Sequence, residues 1–193
     1  MSKVVIITGK AGTGKTTVAD ILRKYGFNVL DVDSLAHSLL QDFKDDIARE
    51  FGKEVLGCDG IIDRKKLGEL VFKDPEKIAK LERILHPVLG RRIKEMVEGR
   101  EGNIFIDVAI PKKLSLYTIA DFTIVVTSPQ ELVVERLRKK GWAEEKIKAV
   151  MEWQTEEFPE GKYYLVPNSG TLEELEKKIL SILKMEGFLN GKD

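Results

Sequence analysis

Apolar residues cluster in five short segments of the chain, and patterns with a helical period fill the intervals between them. The segments predict strands at Lys3–Thr8, Asn28–Val32, Asn103–Val108, Phe122–Thr127 and Lys162–Val166. The first, third and fourth are near-continuous apolar runs, without the alternation of a half-exposed strand. Such runs are typical of strands that are buried on both faces of a parallel sheet. The pattern therefore favours a parallel sheet in the interior.

Eight further segments repeat their apolar residues with a helical period. They predict helices at Lys15–Tyr25, Ser34–Gln41, Lys44–Phe51, Lys66–Phe72, Glu76–Glu98, Gln130–Lys140, Glu144–Thr155 and Leu172–Glu186. The alternation of strands and helices predicts an α/β fold of three layers with right-handed crossovers. Pro87 stands inside one of these helices, and we expect it to break or kink the helix just after His86.

The interval between the second and third strands, at about residues 34–100, is too long for one crossover helix. Ligands of open α/β sheets bind at the carboxyl ends of the strands. We therefore interpret this interval as a helical insertion over that edge of the sheet.

A glycine-rich loop, Gly9–Thr16, joins the first strand to the first helix and reads GKAGTGKT. It fits the phosphate-loop pattern G-x-x-x-x-G-K-[ST] at every fixed position. Glycines let several backbone N–H groups point at one anion, and the helix N-terminus adds partial positive charge. In this pattern Lys15 reaches the β- and γ-phosphates and the hydroxyl of Thr16 binds magnesium.

The loop therefore predicts a nucleoside triphosphate site, with a plain glycine-rich turn as the alternative. The residues predicted to bind the nucleotide here are Gly9, Ala11, Gly12, Thr13, Gly14, Lys15, Thr16 and Thr17. The sequence lacks the guanine-reading pattern Asn-Lys-x-Asp, which argues against a GTPase. A chain of 193 residues also has no room for a motor or a transport module. A small-molecule kinase fits the layout best.

Composition and charge exclude other classes. A hydrophobic content of 42% suffices for a packed core, so disorder is not expected. Thirty-two basic residues balance thirty-two acidic ones, so no net charge draws the protein to nucleic acid or anionic lipid. No apolar stretch reaches the roughly 20 residues of a membrane span, and no export leader is apparent. The single cysteine, Cys58, is expected to be a free thiol in a reducing cytoplasm.

Two carboxylates, Asp31 and Asp33, end the second strand with one residue between them. At this spacing they share a face if the strand persists. A carboxylate there would accept the proton of a substrate hydroxyl or hold magnesium through water. The alternative for Asp33 is an N-cap of the helix that begins at Ser34. A third acid, Asp107, ends the third strand, near the usual place of the magnesium carboxylate in phosphate-loop enzymes.

Arg136, Lys139 and Lys140 follow the fourth strand with the spacing i, i+3, i+4, which puts them on one face of a helix. Cations that close over a transferring phosphoryl group stabilise the charge on its oxygens. We therefore predict a catalytic role for Arg136 and nucleotide binding for Lys140. The helix at residues 144–155, with residues 141–142 before it, is the candidate for a moving lid. A solvated helix face is the alternative.

After the last strand, residues 167–170 (PNSG) form a predicted turn. It would cup the adenine ring, with Asn168 and Gly170 as the candidate contacts. An ordinary turn with a helix N-cap at Ser169 or Thr171 is the alternative.

Several motifs resemble those of the dephospho-coenzyme A kinase family. Residues 8–17 resemble the family's T-G-G-I-G-S-G-K-S-T, and residues 31–36 (DVDSLA) resemble its D-A-D-x-x-A. Gln154 matches the family's lid glutamine, and residues 168–170 match its N-x-G adenine loop. The similarity runs over nearly the whole chain.

Two motifs in the helical interval are the most specific, because other small kinases of this fold do not carry them in that order. Residues 59–67 (DGIIDRKKL), followed by VF at residues 71–72, resemble the insertion motif G-x-x-D-R-x-x-L…V/I-F. Residues 81–87 (LERILHP) resemble the family's L-x-x-I-x-H-P.

The resemblance implies an adenylate-kinase-like phosphate-loop fold with a five-stranded parallel sheet, a helical substrate-binding insertion and a lid. It implies a single kinase domain over residues 1–193. The expected parts are a core at residues 1–33, 101–136 and 160–193, an insertion at about 34–100 and a lid at about 137–159.

The resemblance also implies the last step of coenzyme A biosynthesis, in which ATP, with Mg²⁺, phosphorylates the ribose 3′-hydroxyl of dephospho-coenzyme A. Asp33 takes the position of the family's catalytic aspartate, beside Lys15 and Arg136 in the predicted catalytic set. The predicted acceptor contacts are Asp33, His37, Arg64 and His86. From the residues alone, the two histidines are better explained as ordinary, partly buried side chains.

Three places depart from the family pattern. His37 stands where the family usually has arginine, and residues 109–113 (AIPKK) replace P-L-L-F-E, which removes an acid near the acceptor. An arginine expected shortly after Gln154 is missing, since residues 155–158 read TEEF. Two alternatives stay open: another nucleotide or small-molecule kinase of the same fold, and a degenerate ATP-binding regulatory protein.

Overall fold

A five-stranded parallel sheet forms the centre of the fold, as predicted. The computed structural model describes residues 2–71, 74–153 and 159–189. The strands are β1 (Val4–Thr8), β2 (Asn28–Asp31), β3 (Ile104–Asp107), β4 (Phe122–Thr127) and β5 (Tyr163–Pro167), in the spatial order β2-β3-β1-β4-β5. On the central strand β1, Val5, Ile6 and Ile7 are fully buried. Because neighbouring strand residues face opposite sides, β1 is covered on both faces, as its apolar run predicted.

Helices form at all eight predicted places. They are α1 (Lys15–Lys24), α2 (Val32–Asp42), α3 (Lys44–Phe51), α4 (Arg64–Val71), α5 (Pro75–Glu98), α6 (Gln130–Lys139), α7 (Glu144–Trp153) and α8 (Leu172–Met185). Short 3₁₀ turns occur at Lys53–Val55 and Tyr117–Ile119. None of the helices in the described part of the chain is both long enough and apolar enough to cross a membrane.

The chain divides into two compact units. The sheet unit contains the described residues of 2–30, 101–112 and 116–189. In its core, one face of the sheet packs against α1 and α8. Leu22 of α1, Phe105 of β3 and Ile179 of α8 are fully buried there.

The helical unit contains the described residues of 31–100 and 113–115. Its longest element is α5, with 24 residues. Leu85, Leu89 and Ile93 form a buried stripe at a spacing of four residues along α5. The helices α2, α3 and α4 pack against α5.

Of the break or kink predicted just after His86, the break is wrong, because α5 continues through Pro87, and the kink stays a prediction. A proline inside a helix cannot donate the backbone hydrogen bond to the carbonyl four residues earlier, here that of Arg83. Both Pro87 and Arg83 are exposed, so water can reach that carbonyl. Burial of Leu85 and Leu89 on either side of the proline stabilises the continuous helix.

Candidate active site

The glycine-rich loop ends at the N-terminus of α1, with Gly14 as the N-cap residue. In the described residues, no side chain caps α1, and its first turn contains no acid. The first N–H groups of a helix lack partners within the helix, so this end attracts an anion. The geometry has the form that a phosphate site requires.

Two glycines of the loop allow close contacts that another residue would block. Gly9 and Gly14 have φ of +148° and +104°, which favour glycine. A Cβ atom on Gly9 would lie 2.3 Å from the carbonyl oxygen of Val126. A Cβ atom on Gly14 would lie 2.2 Å from Nδ2 of Asn168. The loop is therefore packed tightly against the segments that follow β4 and β5.

The side chain of Lys15 lies across the loop. Its Nζ atom donates a hydrogen bond of 2.8 Å to the carbonyl oxygen of Gly9. The hydroxyl of Thr13 donates to the carbonyl oxygen of Lys10 at 2.8 Å, which closes the turn. Thr16 is exposed in the first turn of α1. The cationic side chain of Lys15 and the exposed residue Thr16 thus lie at the N-terminus of α1, where an anion is favoured.

Asn168 connects the segment after β5 to the loop. Its residue is 8% exposed, and its side-chain Nδ2 donates a hydrogen bond of 2.8 Å to the carbonyl oxygen of Thr13. Its backbone N–H donates to the carbonyl oxygen of Thr127 at 2.7 Å. Thr171 caps α8 in a capping box with Glu174, so the alternative with an N-cap at Thr171 is confirmed. Adenine contacts of Asn168 and Gly170 stay a prediction.

Arg136 of α6 points at the same loop. Its guanidinium donates to the carbonyl oxygen of Asn168 at 3.0 Å and to that of Thr13 at 3.4 Å. It also donates to Oγ of Ser128 at 3.1 Å. The guanidinium therefore joins three backbone segments. Its predicted contact with the transferred phosphoryl group stays a prediction.

The other basic residues of α6 differ from Arg136 in their surroundings. Lys139 is exposed and pairs with Glu135 at 2.5 Å. Lys140 is exposed at the C-cap position of α6. In α7, the lid candidate, Ile147 is buried against α6. Gln154 and the departure at residues 155–158 lie outside the described residues.

The N-cap of α2 is Asp31, so the alternative role of Asp33 as a cap is wrong. The Asp31 carboxylate accepts a hydrogen bond of 3.0 Å from the backbone N–H of Ser34. The helix begins two residues earlier than predicted, because Asp31 caps an N–H three residues ahead. Asp33 lies in the first turn of α2, is exposed, and has no hydrogen-bond partner among the described residues. Its carboxylate is thus available for other chemistry.

His37 and Arg64 are in direct contact within the helical unit. Nη2 of Arg64 lies 2.6 Å from Nε2 of His37. Burial and the charge of Arg64 hold the pKa of His37 below its ordinary value, against the opposing influence of Asp33 and Asp31. Two predicted acceptor residues, Asp33 and Arg64, therefore lie close enough to a third, His37, to influence its pKa.

His86, the fourth predicted acceptor residue, lines a cavity of about 520 Å³ with Gly90, Lys94 and Lys113. Burial lowers the pKa of His86, and Glu82 opposes that shift. Lys113, from the departure at residues 109–113, donates to both carboxylate oxygens of Glu82, at 2.7 and 2.9 Å. The lysine thus brings positive charge where the family motif has an acid.

Sequence reasoning missed Ser128, which both accepts from Arg136 and donates to the carbonyl oxygen of Asn168, at 2.9 Å. The one available signal was its place directly after β4, where the strands of an open sheet present their ligand-binding ends. A serine before a proline is otherwise common in turns.

The family model and the sequence relatives agree on one family. A family model described as dephospho-CoA kinase matches residues 3–173. The dephospho-CoA kinase of Wolinella succinogenes is 35% identical over 188 residues, which is 93% of this chain and 92% of the relative. That of Aquifex aeolicus is 36% identical over 187 residues, 93% of this chain and 95% of the relative.

A solved structure from Thermus thermophilus shares the fold with a TM-score of 0.78 and 30% identity. The match covers 98% of this chain and 99% of that one. The sequence motifs, the loop geometry and the full-length matches lead to the same conclusion. The chain belongs to the dephospho-CoA kinase family.

Proposed function

We propose that this protein transfers the γ-phosphoryl group of ATP to the ribose 3′-hydroxyl of dephospho-coenzyme A, which yields coenzyme A and ADP. The observation that carries the proposal is the extent of the family match, residues 3–173, since it includes the helical unit as well as the phosphate loop. A match confined to the loop would support nucleotide binding alone.

The phosphate loop supports ATP as the donor. The open N-terminus of α1 would hold the phosphates, and Lys15 would turn from the carbonyl of Gly9 to the β- and γ-phosphates. Asn168 and Gly170 would lie beside the adenine ring, and Lys140 would approach the phosphates when the lid, about residues 137–159, closes.

Magnesium fits the residues at the loop. The hydroxyl of Thr16 is an exposed, hard oxygen ligand. The described residues contain no cluster of three or more His, Cys, Asp or Glu side chains that would form a metal cage. Mg²⁺ usually binds through one or two protein oxygens, substrate phosphates and water, which suits this donor set. The ion would neutralise charge that develops on the phosphates.

Asp33 would act as the general base in the helical unit. Its exposed carboxylate would accept the proton of the 3′-hydroxyl while the hydroxyl oxygen forms a bond to the γ-phosphorus. The bond from that phosphorus to the bridging oxygen of ADP breaks, and ADP leaves with the electron pair. Arg136 would stabilise charge on the equatorial oxygens, while His37, Arg64 and His86 would bind the acceptor.

We also propose that the protein works in the cytoplasm on small molecules. Cys58 is exposed and unpaired with another cysteine, which suits a reducing compartment. The balance of thirty-two basic and thirty-two acidic residues gives no electrostatic reason for nucleic-acid binding.

The test is ADP release with ATP, Mg²⁺ and a panel of acceptors: dephospho-coenzyme A, nucleoside monophosphates and sugar acids. Mass spectrometry of the product would confirm the gain of one phosphoryl group, and Lys15→Ala serves as the inactive control. The proposal predicts strong preference for dephospho-coenzyme A. Phosphorylation of another acceptor in its place, or no acceptor-dependent ADP at all, would contradict it.

A further inference from the structure

The contact between His37 and Arg64 fixes the protonation state of the imidazole. Arginine carries only N–H donors and stays charged at all physiological pH values. A donor of Arg64 lies 2.6 Å from Nε2 of His37, so this nitrogen accepts the hydrogen bond with its lone pair. The imidazole is therefore neutral, with its proton on Nδ1.

The charges around His37 support this state. Those that act on it are Arg64 from α4 and Asp33 and Asp31 from the start of α2. None of these three lies on α3 or α5, the other helices that pack against α2. Burial and Arg64 lower the pKa of His37, and the aspartates offset only part of that shift.

A neutral acceptor holds Arg64 as a carboxylate would, but it does not cancel the charge of the guanidinium. It fixes the long side chain of Arg64, which reduces the entropy lost when a ligand binds. It leaves the positive charge of the guanidinium uncompensated, so the charge remains available to an anionic group of a substrate. Arg64 is exposed, so a ligand can reach it.

We infer that His37 is a positioning residue whose neutral imidazole holds the guanidinium of Arg64 in place for an anionic group of the acceptor, and whose protonation releases that guanidinium. A protonated imidazole cannot accept from arginine and repels it. The affinity for the acceptor should therefore fall as the pH falls through the titration of His37. The inference rests on the proposed function, since it takes Arg64 as an acceptor contact.

Steady-state kinetics with dephospho-coenzyme A test the inference through two variants of His37. His37→Gln keeps an uncharged acceptor, and His37→Leu removes it. In the wild type, KM for the acceptor should rise as the pH falls below 6.5, the ordinary pKa of histidine, because the pKa of His37 is lowered. His37→Gln should show a smaller rise of KM with falling pH. His37→Leu should have a KM about tenfold above that of the wild type at high pH, and this higher KM should persist at all pH values. The kcat should change much less than KM in both variants.

NMR titration tests the contact without relying on activity. The chain has only two histidines, and His37→Gln assigns their signals. Arg64→Gln removes a charge that lowers the pKa of His37, so that pKa should rise. Arg92→Gln, which removes an exposed charge from α5, should leave it unchanged.

A pKa of His37 that is the same in Arg64→Gln and the wild type would overturn the inference. So would an equal pH dependence of KM in His37→Gln and the wild type. A wild-type protein that does not phosphorylate dephospho-coenzyme A would refute the proposed function instead, and the NMR titration would still decide whether His37 holds Arg64.

Discussion

The side-chain amide of Asn168 donates a hydrogen bond of 2.8 Å to the carbonyl oxygen of Thr13. The two residues are 155 positions apart in the chain, and both are buried. The segment that follows β5 therefore helps to set the conformation of the phosphate loop. Arg136 adds to the same network through the carbonyl oxygens of both residues.

Asn168→Ala should destabilise the protein and weaken ATP binding together. Loss of a buried hydrogen bond typically costs about 1–3 kcal/mol of unfolding free energy, and a loosened loop should raise KM for ATP. Urea unfolding and steady-state kinetics measure the two effects. Ser169→Ala, at the exposed neighbour, is the matched control and should change neither. Weaker ATP binding at unchanged stability would point to an adenine contact and contradict the loop-fixing role.

Gly14→Ala should displace Asn168, because the new Cβ would lie 2.2 Å from its Nδ2 atom. We expect KM for ATP to rise about tenfold or more. Gly161→Ala is a matched control, since Gly161 has φ of +83° but no atom within 4 Å of the added Cβ. Alanine at either position is strained by the positive φ, by roughly 1–2 kcal/mol. Only alanine at position 14 also clashes with Asn168. Equal effects of both variants on KM would show that strain alone is responsible.

Arg136→Ala should lower the unfolding free energy by about 1–3 kcal/mol and raise KM for ATP, because the guanidinium holds buried carbonyls of the loop region. Arg138→Ala removes the neighbouring arginine, which pairs with Glu144 on the surface at 2.5 Å. Arg138→Ala, the control, should lower the unfolding free energy by about 0–1 kcal/mol. A loss of kcat in Arg136→Ala with stability and KM intact would show that Arg136 acts only on the transferred phosphoryl group.

Glu186 should make the unfolding free energy depend on pH in the acid range. Hydrogen bonds from Lys162, Tyr164 and Lys3 lower the pKa of its carboxyl group to about 2. Because the folded-state pKa is depressed, the stabilisation is complete above the unfolded-state value of 4.5 and is lost as the pH falls from there toward 2.

Glu186→Gln should therefore lower the unfolding free energy by about 1–3 kcal/mol at neutral pH. The difference from wild type should shrink below about pH 4.5. Glu101→Gln, at an exposed loop carboxylate, is the control and should have little effect at any pH. A difference between Glu186→Gln and wild type that is constant from neutral to acid pH would rule out the linkage.

The sequence predicted the main architecture because its signals were local. The buried runs of β1 and β4, and the helical periods between strands, depend only on neighbouring residues. The break at Pro87 was mispredicted, since burial of Leu85 and Leu89 outweighs the missing hydrogen bond. The alternative in which Asp33 caps α2 is wrong. Asp31 and Asp33 are both good capping residues, and the local sequence does not decide between them.

The candidate site was predictable where a motif specifies backbone geometry, as at Gly9 and Lys15. Contacts across the fold were not predictable. Nothing local to Asn168 or Arg136 reveals that they meet Thr13 of the loop, more than a hundred residues away. The contact of His37 with Arg64 likewise requires the packing of two helices, 27 residues apart in sequence.

The most direct test of the account is the rate at which Asp33→Asn converts ATP and dephospho-coenzyme A to coenzyme A, compared with wild type. Asparagine preserves size and hydrogen bonding but cannot take the proton of the 3′-hydroxyl. We predict that wild type forms coenzyme A and that the variant is slower by about 10²–10⁴-fold, with ATP affinity and melting temperature retained. Wild-type turnover by Asp33→Asn, or no coenzyme A from the wild type, would contradict the account.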